Sequence, residues 1–513
     1  MAGSPYFSME YALDVSTAGA LSLGCLLLMS NLFLAYWPQL LAAVSLPLAI
    51  VAIVHAAMTK DEVRSAIGWV GVIVLSPVVG PLIYAIAGIN RIRRASIASG
   101  RAPLDGDLLT HPRFDTTSEL VAEKFGKRFA ALKTVGDRVT RHLMTTGNSI
   151  DVLGTGDEAY AAMAAAIDGA RRSVILETYI FDRDPIGLRI AESLIGAVRR
   201  GVDVRVLIDA VGARYSVPSI VGYLRDEGVA TDVFNGNIIM GLRLPYANLR
   251  THRKILVADG AVAFVGGMNI RKQFTAEFSG LDSSCDTHFR VSGPVIADLQ
   301  AIAAEDWRFT TGERLGGEAW RIEVPPGESD APILMRAVAT GPDASIETNH
   351  KLLMGAFSVA RRSIRIMSPY FLPDRELISA LTTAARRGVE IDIVVPSESN
   401  LVLVDRAMTA QFDQVLKNYC RVWRAKGPFD HSKLLSIDST WAFIGSSNLD
   451  PRSLRLNFEI DIEVMDIDFA GRIHARIGSR VSSAVPVTLA GLRSRPFLAR
   501  LIDRILWLGS PYL

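Results

Sequence analysis

Two long stretches near the N-terminus carry no Asp, Glu, Lys or Arg, residues 16 to 58 and residues 65 to 90. After about residue 115 the pattern changes to short apolar runs alternating with segments of helical periodicity. The first pattern predicts membrane segments, because about 20 apolar residues cover the hydrocarbon layer. The second predicts an α/β fold, in which crossover helices cover a sheet of parallel strands.

Trp37-Pro38 lies near the middle of the first uncharged stretch, so that stretch reads as one or two membrane segments. The second is interrupted by SPVVGP, where Pro77, Gly80 and Pro81 weaken a helix, and a broken or re-entrant segment competes with a straight span. Residues 1 to 18 contain Glu10 and Asp14 but no Lys or Arg, which fits a cleaved signal peptide poorly and a retained anchor better. Lys60 and Arg64 precede the second stretch, and Arg91, Arg93 and Arg94 follow it. Positive charge on both flanks obeys the positive-inside rule only for a re-entrant segment, and the heavier arginine cluster predicts a cytoplasmic globular part.

The α/β region is internally duplicated. ARRSVILETYIF (170–181) recurs as ARRSIRIMSPYF (360–371), and each copy leads to a helical pattern ending in RRGV. HRKILVADGAVAFVGGMN (252–269) recurs as HSKLLSIDSTWAFIGSSN (431–448), and both fit H-x-K-x4-D-x6-G-x2-N. Two homologous halves follow as the simplest organisation. The expected divisions are a membrane region at 1–95, a linker at 96–120, α/β domains at 121–315 and 330–490, and a C-terminal amphipathic tail at 491–513. Singly, a histidine or a Gly-x-x-Asn turn is commonplace. Only eight histidines occur in 513 residues, and two head identical spacings in duplicated frames.

Residues i and i+2 of an extended strand share a face, so His252 points with Lys254 and His431 with Lys433. Asp259 and Asp438 complete the motif at odd offsets and are better placed for structural pairing than for direct chemistry. Two such faces packed together assemble two imidazoles, two ammonium groups and the amides of Asn269 and Asn448. This set suits a phosphoryl centre: cations and amides hold the oxygens, one histidine attacks phosphorus, and the other moves the proton. Clustered histidines also suggest a metal site, but paired lysines repel a divalent cation and no carboxylate stands at ligand spacing. No metal or other cofactor is expected.

Composition narrows the setting. The formal charge is only +2 and 49% of residues are hydrophobic, which indicates neither a disordered chain nor a globally basic nucleic-acid binder. Mean hydropathy is +0.26, in keeping with a membrane region. Cys25, Cys285 and Cys420 form no CxxC pair and no disulfide framework.

The paired motif resembles the phospholipase D superfamily, and the chain is similar to bacterial cardiolipin synthases along nearly its full length. The likeness covers RSAIGWVGVIVLSPVVGPLIYAIAG, both halves, NLDPRSLRLNFEI after the second motif, and the apolar tail ending SPYL. It implies two α/β/α halves packed with pseudo-twofold symmetry behind membrane helices of the bacterial inner membrane. It also implies phosphatidyl transfer from one phosphatidylglycerol to another through a phosphohistidine, with glycerol released. Carried over by position, the catalytic set is His252, Lys254, Asp259, His431, Lys433 and Asp438, with Asn269, Ser446 and Asn448 holding substrate. The resemblance favours His252 as nucleophile and His431 as general acid/base. It also places a carboxylate behind each histidine, Asp286 for the first half and Glu459 for the second. The first motif has Gly267 where the second has Ser446, so one side lacks a hydroxyl.

The superfamily includes nucleases and hydrolases, so context must choose the substrate. No basic run with interleaved aromatics flanks either motif, which disfavours nucleic acid and leaves anionic membrane lipids as the partner. Phosphatidylethanolamine remains open as donor or acceptor. In the tail, Phe497, Leu498, Leu501, Ile502, Ile505 and Leu506 share one helical face. Either that helix lies in the membrane interface with Trp507 at headgroup depth, or it packs on the protein's own core. The stretch 237–250 is a second candidate for dipping into lipid.

Overall fold

The computed structural model describes residues 36–37, 39–60, 63–88, 114–235, 249–322, 333–343 and 345–510. It divides into two compact units, Met1–Arg91 and Ile92–Leu513. Residues 16–35, Pro38, the arginine cluster at 91–94, most of the linker and the stretch 236–248 lie outside the described residues.

In the first unit Gln39–Thr59 is a helix of 21 residues, long and apolar enough to cross a membrane. The second uncharged stretch is not a straight span. A helix over Val63–Leu75 stops before Pro77, and a helix over Val79–Ile83 continues into a π-helical turn, Tyr84–Gly88. Thirteen residues at about 1.5 Å each fall well short of a roughly 30 Å hydrocarbon layer. Gly80 lets the chain fold back: a Cβ there would meet the Val72 carbonyl oxygen at 2.7 Å and the Ile73 Cα at 2.8 Å. Tyr84 then ties the broken segment to the long helix through a 2.7 Å hydrogen bond to His55 Nδ1, and packs edge-on against Trp69 of the Val63–Leu75 helix.

The second unit carries the duplication. Its first half supplies β1 (Thr145–Leu153), β2 (Ser173–Thr178), β3 (Asp203–Asp209), β4 (Ala230–Phe234), β5 (Arg250–Thr251), β6 (Ile255–Ala258), β7 (Val262–Gly266) and β8 (His288–Ser292). The second half supplies β9 (Ile333–Thr340), β10 (Ser363–Met367), β11 (Glu390–Pro396), β12 (Arg421–Ala425), β13 (Leu434–Ile437), β14 (Trp441–Gly445), β15 (Asn457–Met465) and β16 (Val485–Val487). The strand order runs β16-β12-β11-β10-β13-β14-β15-β9-β1-β8-β7-β6-β2-β3-β4, with β5 pairing β15 off this path. The order on one side of the β9–β1 seam repeats on the other, as duplication requires. Only β2-β3-β4 and β10-β11-β12 are parallel within the path; the motif strands are antiparallel. The expectation of parallel strands therefore holds for the crossover portion alone.

Local sequence explains the crossovers. Asp184 and Asp374 cap the helices Pro185–Arg199 and Arg375–Arg386, each accepting from a backbone N–H three residues on, worth about 1 kcal/mol apiece. Gly201 and Gly388, the glycines of the two RRGV segments, have φ of +86° and +89° and end those helices in the left-handed conformation that favours glycine.

The two halves share a core. Helices Val295–Thr311 and Ile467–Ser482 bury Leu299, Ile302, Trp307, Phe469, Ile473 and Ile477 between them and the sheet, and Phe289 meets Phe469 edge-on at 6.1 Å. One boundary differs from expectation. Helices Ser118–Phe125 and Lys127–Val139 fall at the start of the expected first half, yet Val121, Phe129 and Leu132 belong to the core of the second. Arg336, fully buried on β9, bonds Lys133 O and Asp137 of the second of these helices, which fixes it there. The C-terminal helix, Phe497–Leu508, packs on the protein through Leu506 and Trp507. Trp507 Nε1 donates to Gln411 Oε1 at 2.8 Å, so it is docked on the protein rather than reaching for headgroups.

Candidate active site

The motif forms a hairpin rather than one strand. His252 and Lys254 precede β6 in an extended segment, β6 turns at Asp259-Gly260 (φ +54° and +63°), and β7 ends at Gly266. The second copy does the same, with β13 turning at Asp438-Ser439 (φ +53° and +52°) and β14 ending at Gly445. The motif glycines serve close approach: a Cβ on Gly266 would stand 2.6 Å from His288 Nδ1, and one on Gly445 2.3 Å from Ile460 O.

Asp259 and Asp438, carried over with the catalytic set, lie in these turns away from the cleft. Asp259 accepts from the backbone N–H groups of Arg171, Arg172 and Ser173, and Asp438 from those of Arg361, Arg362 and Ser363. They anchor the hairpin to the ARRS turn that opens β2 or β10, so the two repeated sequence signatures bind each other. Asp438 also takes an ion pair from Arg128. Burial pushes the Asp438 carboxyl up, but these donors outweigh it and hold it below the usual carboxylate range.

Both histidines and both asparagines line one cleft of about 370 Å3, with Tyr179, Tyr370, Phe429, Arg250, Arg271 and Arg452 among the other walls. The halves are stitched at this point. The His252 N–H donates to Phe458 O at 2.8 Å, and the His431 N–H to Cys285 O at 2.7 Å. This cross-stitching decides which carboxylate serves which ring. His252 Nδ1 stands 2.9 Å from Glu459 Oε2, and His431 Nδ1 2.9 Å from Asp286 Oδ2. The assignment within each half is therefore corrected: each half supplies the carboxylate for the other half's histidine. The physical reason is β5, which carries the first motif against β15 of the second half, and the matching bridge between Cys285 and Asp430.

Electrostatics follow from burial. Desolvation pulls the His252 ring below its ordinary value, and Lys254 adds to this against Glu459. His431 falls to about 4, by burial first and then by Lys433. Both imidazoles are thus neutral at pH 7, with Nδ1 as the donor to the carboxylate and Nε2 as the free lone pair. Burial raises Asp286 and Glu459, but Lys433 and His431 around the first, and His252 and Lys254 around the second, hold both carboxyls low and ionised.

The lysines lie deeper than expected. Lys254 Nζ donates to His252 O at 2.6 Å and Lys433 Nζ to His431 O, so each ammonium is buried behind its own histidine. Burial lowers them to about 7 and about 8. Asn269 Oδ1 accepts from the Ile180 N–H at 3.2 Å, which leaves its NH2 for a ligand. Ser446, grouped with the substrate-holding residues, is fully buried instead. Its hydroxyl donates to Glu459 Oε2 at 2.6 Å and its Oγ accepts from the Ile460 N–H, so it acts on the carboxylate and not on a ligand. On the other side the Asp286 carboxylate fills the equivalent space, 2.7 to 2.8 Å from where a Gly267 Cβ would stand.

Two residues beyond the motif stand against the catalytic rings. Tyr179 lies 5.2 Å from the His252 ring, and Tyr370 lies 6.4 Å from that of His431. They are not equivalent in the repeat: ARRSVILETYIF and ARRSIRIMSPYF align Tyr179 with Pro369 and Ile180 with Tyr370, so repetition did not single them out.

The comparisons agree with this geometry. A family described as "Cardiolipin synthase, PLD-like domain" matches residues 163–307 and 353–480, and one described as "Phospholipase_D-nuclease N-terminal" matches 48–88. A cardiolipin synthase of Alkalihalophilus pseudofirmus is 31% identical over 87% of this chain and 88% of its own. Cardiolipin synthase A of Pseudomonas aeruginosa is 31% identical over 91% of this chain and 94% of its own. Among solved structures, a phosphatidylserine synthase of Haemophilus influenzae shares the fold at a TM-score of 0.56 and 14% identity, covering 74% of this chain and all of that one. The chain therefore belongs to the cardiolipin synthase family of the phospholipase D superfamily, a family of phosphatidyltransferases.

Proposed function

We propose that this protein joins two phosphatidylglycerol molecules into cardiolipin and releases glycerol, through a phosphohistidine formed on His252. The observation that carries the reading is the convergence of both histidines and both asparagines on one cleft, each ring backed by a buried carboxylate from the opposite half.

In the first step His252 Nε2 attacks phosphorus of the donor lipid. The bond from phosphorus to the glycerol oxygen breaks, and His431 Nε2–H gives its proton to that oxygen. In the second step His431 takes the proton from a glycerol hydroxyl of the acceptor lipid, whose oxygen attacks phosphorus and displaces His252. Glu459 holds the attacking ring in the tautomer that leaves Nε2 unprotonated, and it stabilises the positive charge on the ring once phosphorus is bound. His431 must carry a proton when glycerol leaves. Burial first and Lys433 second keep it neutral in the empty cleft, and arrival of a phosphodiester anion favours the charged ring against both. The same ammonium groups, with the Asn269 and Asn448 amides, oppose the charge that builds on the phosphoryl oxygens.

The test is direct. Purified full-length protein in phosphatidylglycerol vesicles should form cardiolipin and glycerol in equal amounts, and a lipid-phosphate adduct that is lost on acid treatment should be recovered on His252 after a denaturing quench at neutral pH. Phosphatidic acid as the sole lipid product would show a hydrolase instead. In vesicles that also contain phosphatidylethanolamine the alcohol released identifies the donor, glycerol from phosphatidylglycerol or ethanolamine from phosphatidylethanolamine.

A further inference from the structure

The C-terminal helix packs on one side and is bare on the other. Leu506, Trp507 and Asp503 face the protein, the last paired with Arg495 at 2.6 Å. Phe497, Leu498 and Leu508 are about two-thirds exposed, at 68%, 69% and 72%, and Leu501, Ile502 and Ile505 are also open to solvent. The helix lies on Val402–Leu416, through Arg406 to Asp503 and Trp507 to Gln411. At its start that supporting helix exposes a second apolar group, Leu401, Val402 and Leu403. Leu401 and Val404 line the catalytic cleft, as does Ser510 just past the C-terminal helix. One apolar surface thus reaches the mouth of the site.

Its border is basic. Residues 489–510 contain Arg493, Arg495, Arg500 and Arg504 against the single acid Asp503, which is buried. Together with Phe497, Leu501, Leu492 and Asp413 these arginines line a groove of about 300 Å3 on that flank, where Arg493 and Arg504 stand 3.9 and 3.8 Å from Asp413 and the arginines remain in excess. Apolar side chains ringed by arginine match the layered chemistry of an anionic bilayer surface, acyl chains below and phosphates at the rim. A second copy of this chain would meet like charge on its own matching patch, which disfavours a self-association of these faces.

We propose that the outer face of Phe497–Leu508, continuous with Leu401–Leu403, docks the catalytic unit on an anionic phospholipid bilayer and sets the cleft mouth against its headgroups. The helix thereby acts in substrate delivery, outside the chemistry. The inference adds to the proposed function, and its test separates the two.

Full-length protein in phosphatidylglycerol-containing proteoliposomes, carrying a fluorescent side chain introduced at Leu498 or at the exposed Arg199, at the far end of the crossover helix Pro185–Arg199, reports docking without any turnover. Brominated acyl chains should quench the probe at 498 at least threefold more than the probe at 199, and Arg493→Gln with Arg500→Gln should weaken that quenching. Equal quenching at the two positions overturns the proposal. So does shielding of 498 from both lipid and aqueous iodide, which would mean a protein partner covers the face. A kinetic arm uses Leu501→Asp with Ile505→Asp. The rate on dilute phosphatidylglycerol in vesicles should fall about tenfold through KM, while turnover of a short-chain, monomeric phosphatidylglycerol stays unchanged. Equal rates on both substrates, or equal loss on both, overturn the docking role. Absence of transfer by the unsubstituted protein on either substrate would refute the proposed function and leave the quenching test standing.

Discussion

The two half-sites share a backbone and differ behind the histidines. His252 leans on Glu459, whose carboxylate also accepts hydrogen bonds from Ser446 and Asn457. His431 leans on Asp286, which lacks a hydroxyl donor and takes a backbone N–H from Thr287 instead. A shorter acid stands opposite glycine and a longer one opposite serine. Duplication fixed the positions of the rings, and divergence behind them gave each ring a different electrostatic setting. That is what division of labour between nucleophile and proton carrier requires.

Removing the rings breaks the comparison most severely. His252→Ala should abolish both adduct and cardiolipin. His431→Ala should cut turnover by about 10^4-fold while an adduct on His252 remains detectable by mass spectrometry. An adduct found only on His431 would reverse the roles.

Next come the carboxylates, which test the exchange between halves. Glu459→Gln should slow adduct formation by about 10^2-fold or more, because the ring it disables belongs to the other half's motif. Asp286→Asn should instead impair proton transfer at His431, with a comparable loss in turnover and a smaller one in adduct formation. If Glu459→Gln spared the His252 adduct, the cross-pairing would have no catalytic meaning.

Lys433→Arg probes the charge beneath the rings. Lys254 and Lys433 are pulled down to about 7 and about 8 by burial, so both are charged below those values and lose charge as pH rises through them. For the free enzyme, kcat/KM on an anionic lipid should decline on the alkaline side from about pH 7 to 8. An arginine stays protonated there, so the substitution should remove the part of the decline near pH 8 and leave the part near pH 7 that belongs to Lys254.

Asp438→Asn separates structure from chemistry. Its folded carboxyl is held below the ordinary value, so its contribution is present above the unfolded pKa and is lost as pH falls through the folded one. At neutral pH the substitution should cost about 1.5 to 3 kcal/mol in denaturant unfolding, without moving the pH dependence of the residual activity. Asp259→Asn should cost somewhat less, since Arg128 pairs only with Asp438.

How far the sequence could lead is clear from these residues. Repetition made the halves and the motif legible, because a duplicated spacing is local along the chain; Tyr179 and Tyr370 stand at different positions of the repeat and were not legible from it. The exchange of Asp286 and Glu459 was not legible. It depends on β5 pairing with β15, about 200 residues away, and no local pattern encodes that register. The two helices between residues 118 and 139 were assigned to the wrong half for the same reason: their partner, Arg336, lies far along the chain. The depth of the lysines was missed because alternation predicts a face, whereas His252 and His431 leave the ladder before β6 and β13 begin.

The finest test makes the half-sites alike. Ser446→Gly removes one hydrogen bond to the ionised Glu459 carboxylate and frees the Ile460 N–H. Such a bond contributes about 1.5 to 3 kcal/mol, and a share of about 1 kcal/mol felt at the His252 ring corresponds to roughly fivefold slower adduct formation. The reciprocal change is not its mirror image. In Gly267→Ser the new Cβ would meet the Asp286 carboxylate at 2.7 Å, so the acid must swing away from His431 before the hydroxyl can bond it. Proton transfer should suffer more than fivefold, and Asp286→Glu in the same chain should not restore it unless the longer acid finds the place that Glu459 occupies opposite. If both single substitutions were silent in rapid-quench measurements of the two steps, the difference behind the rings would be drift, and the assignment of roles would rest on the adduct alone.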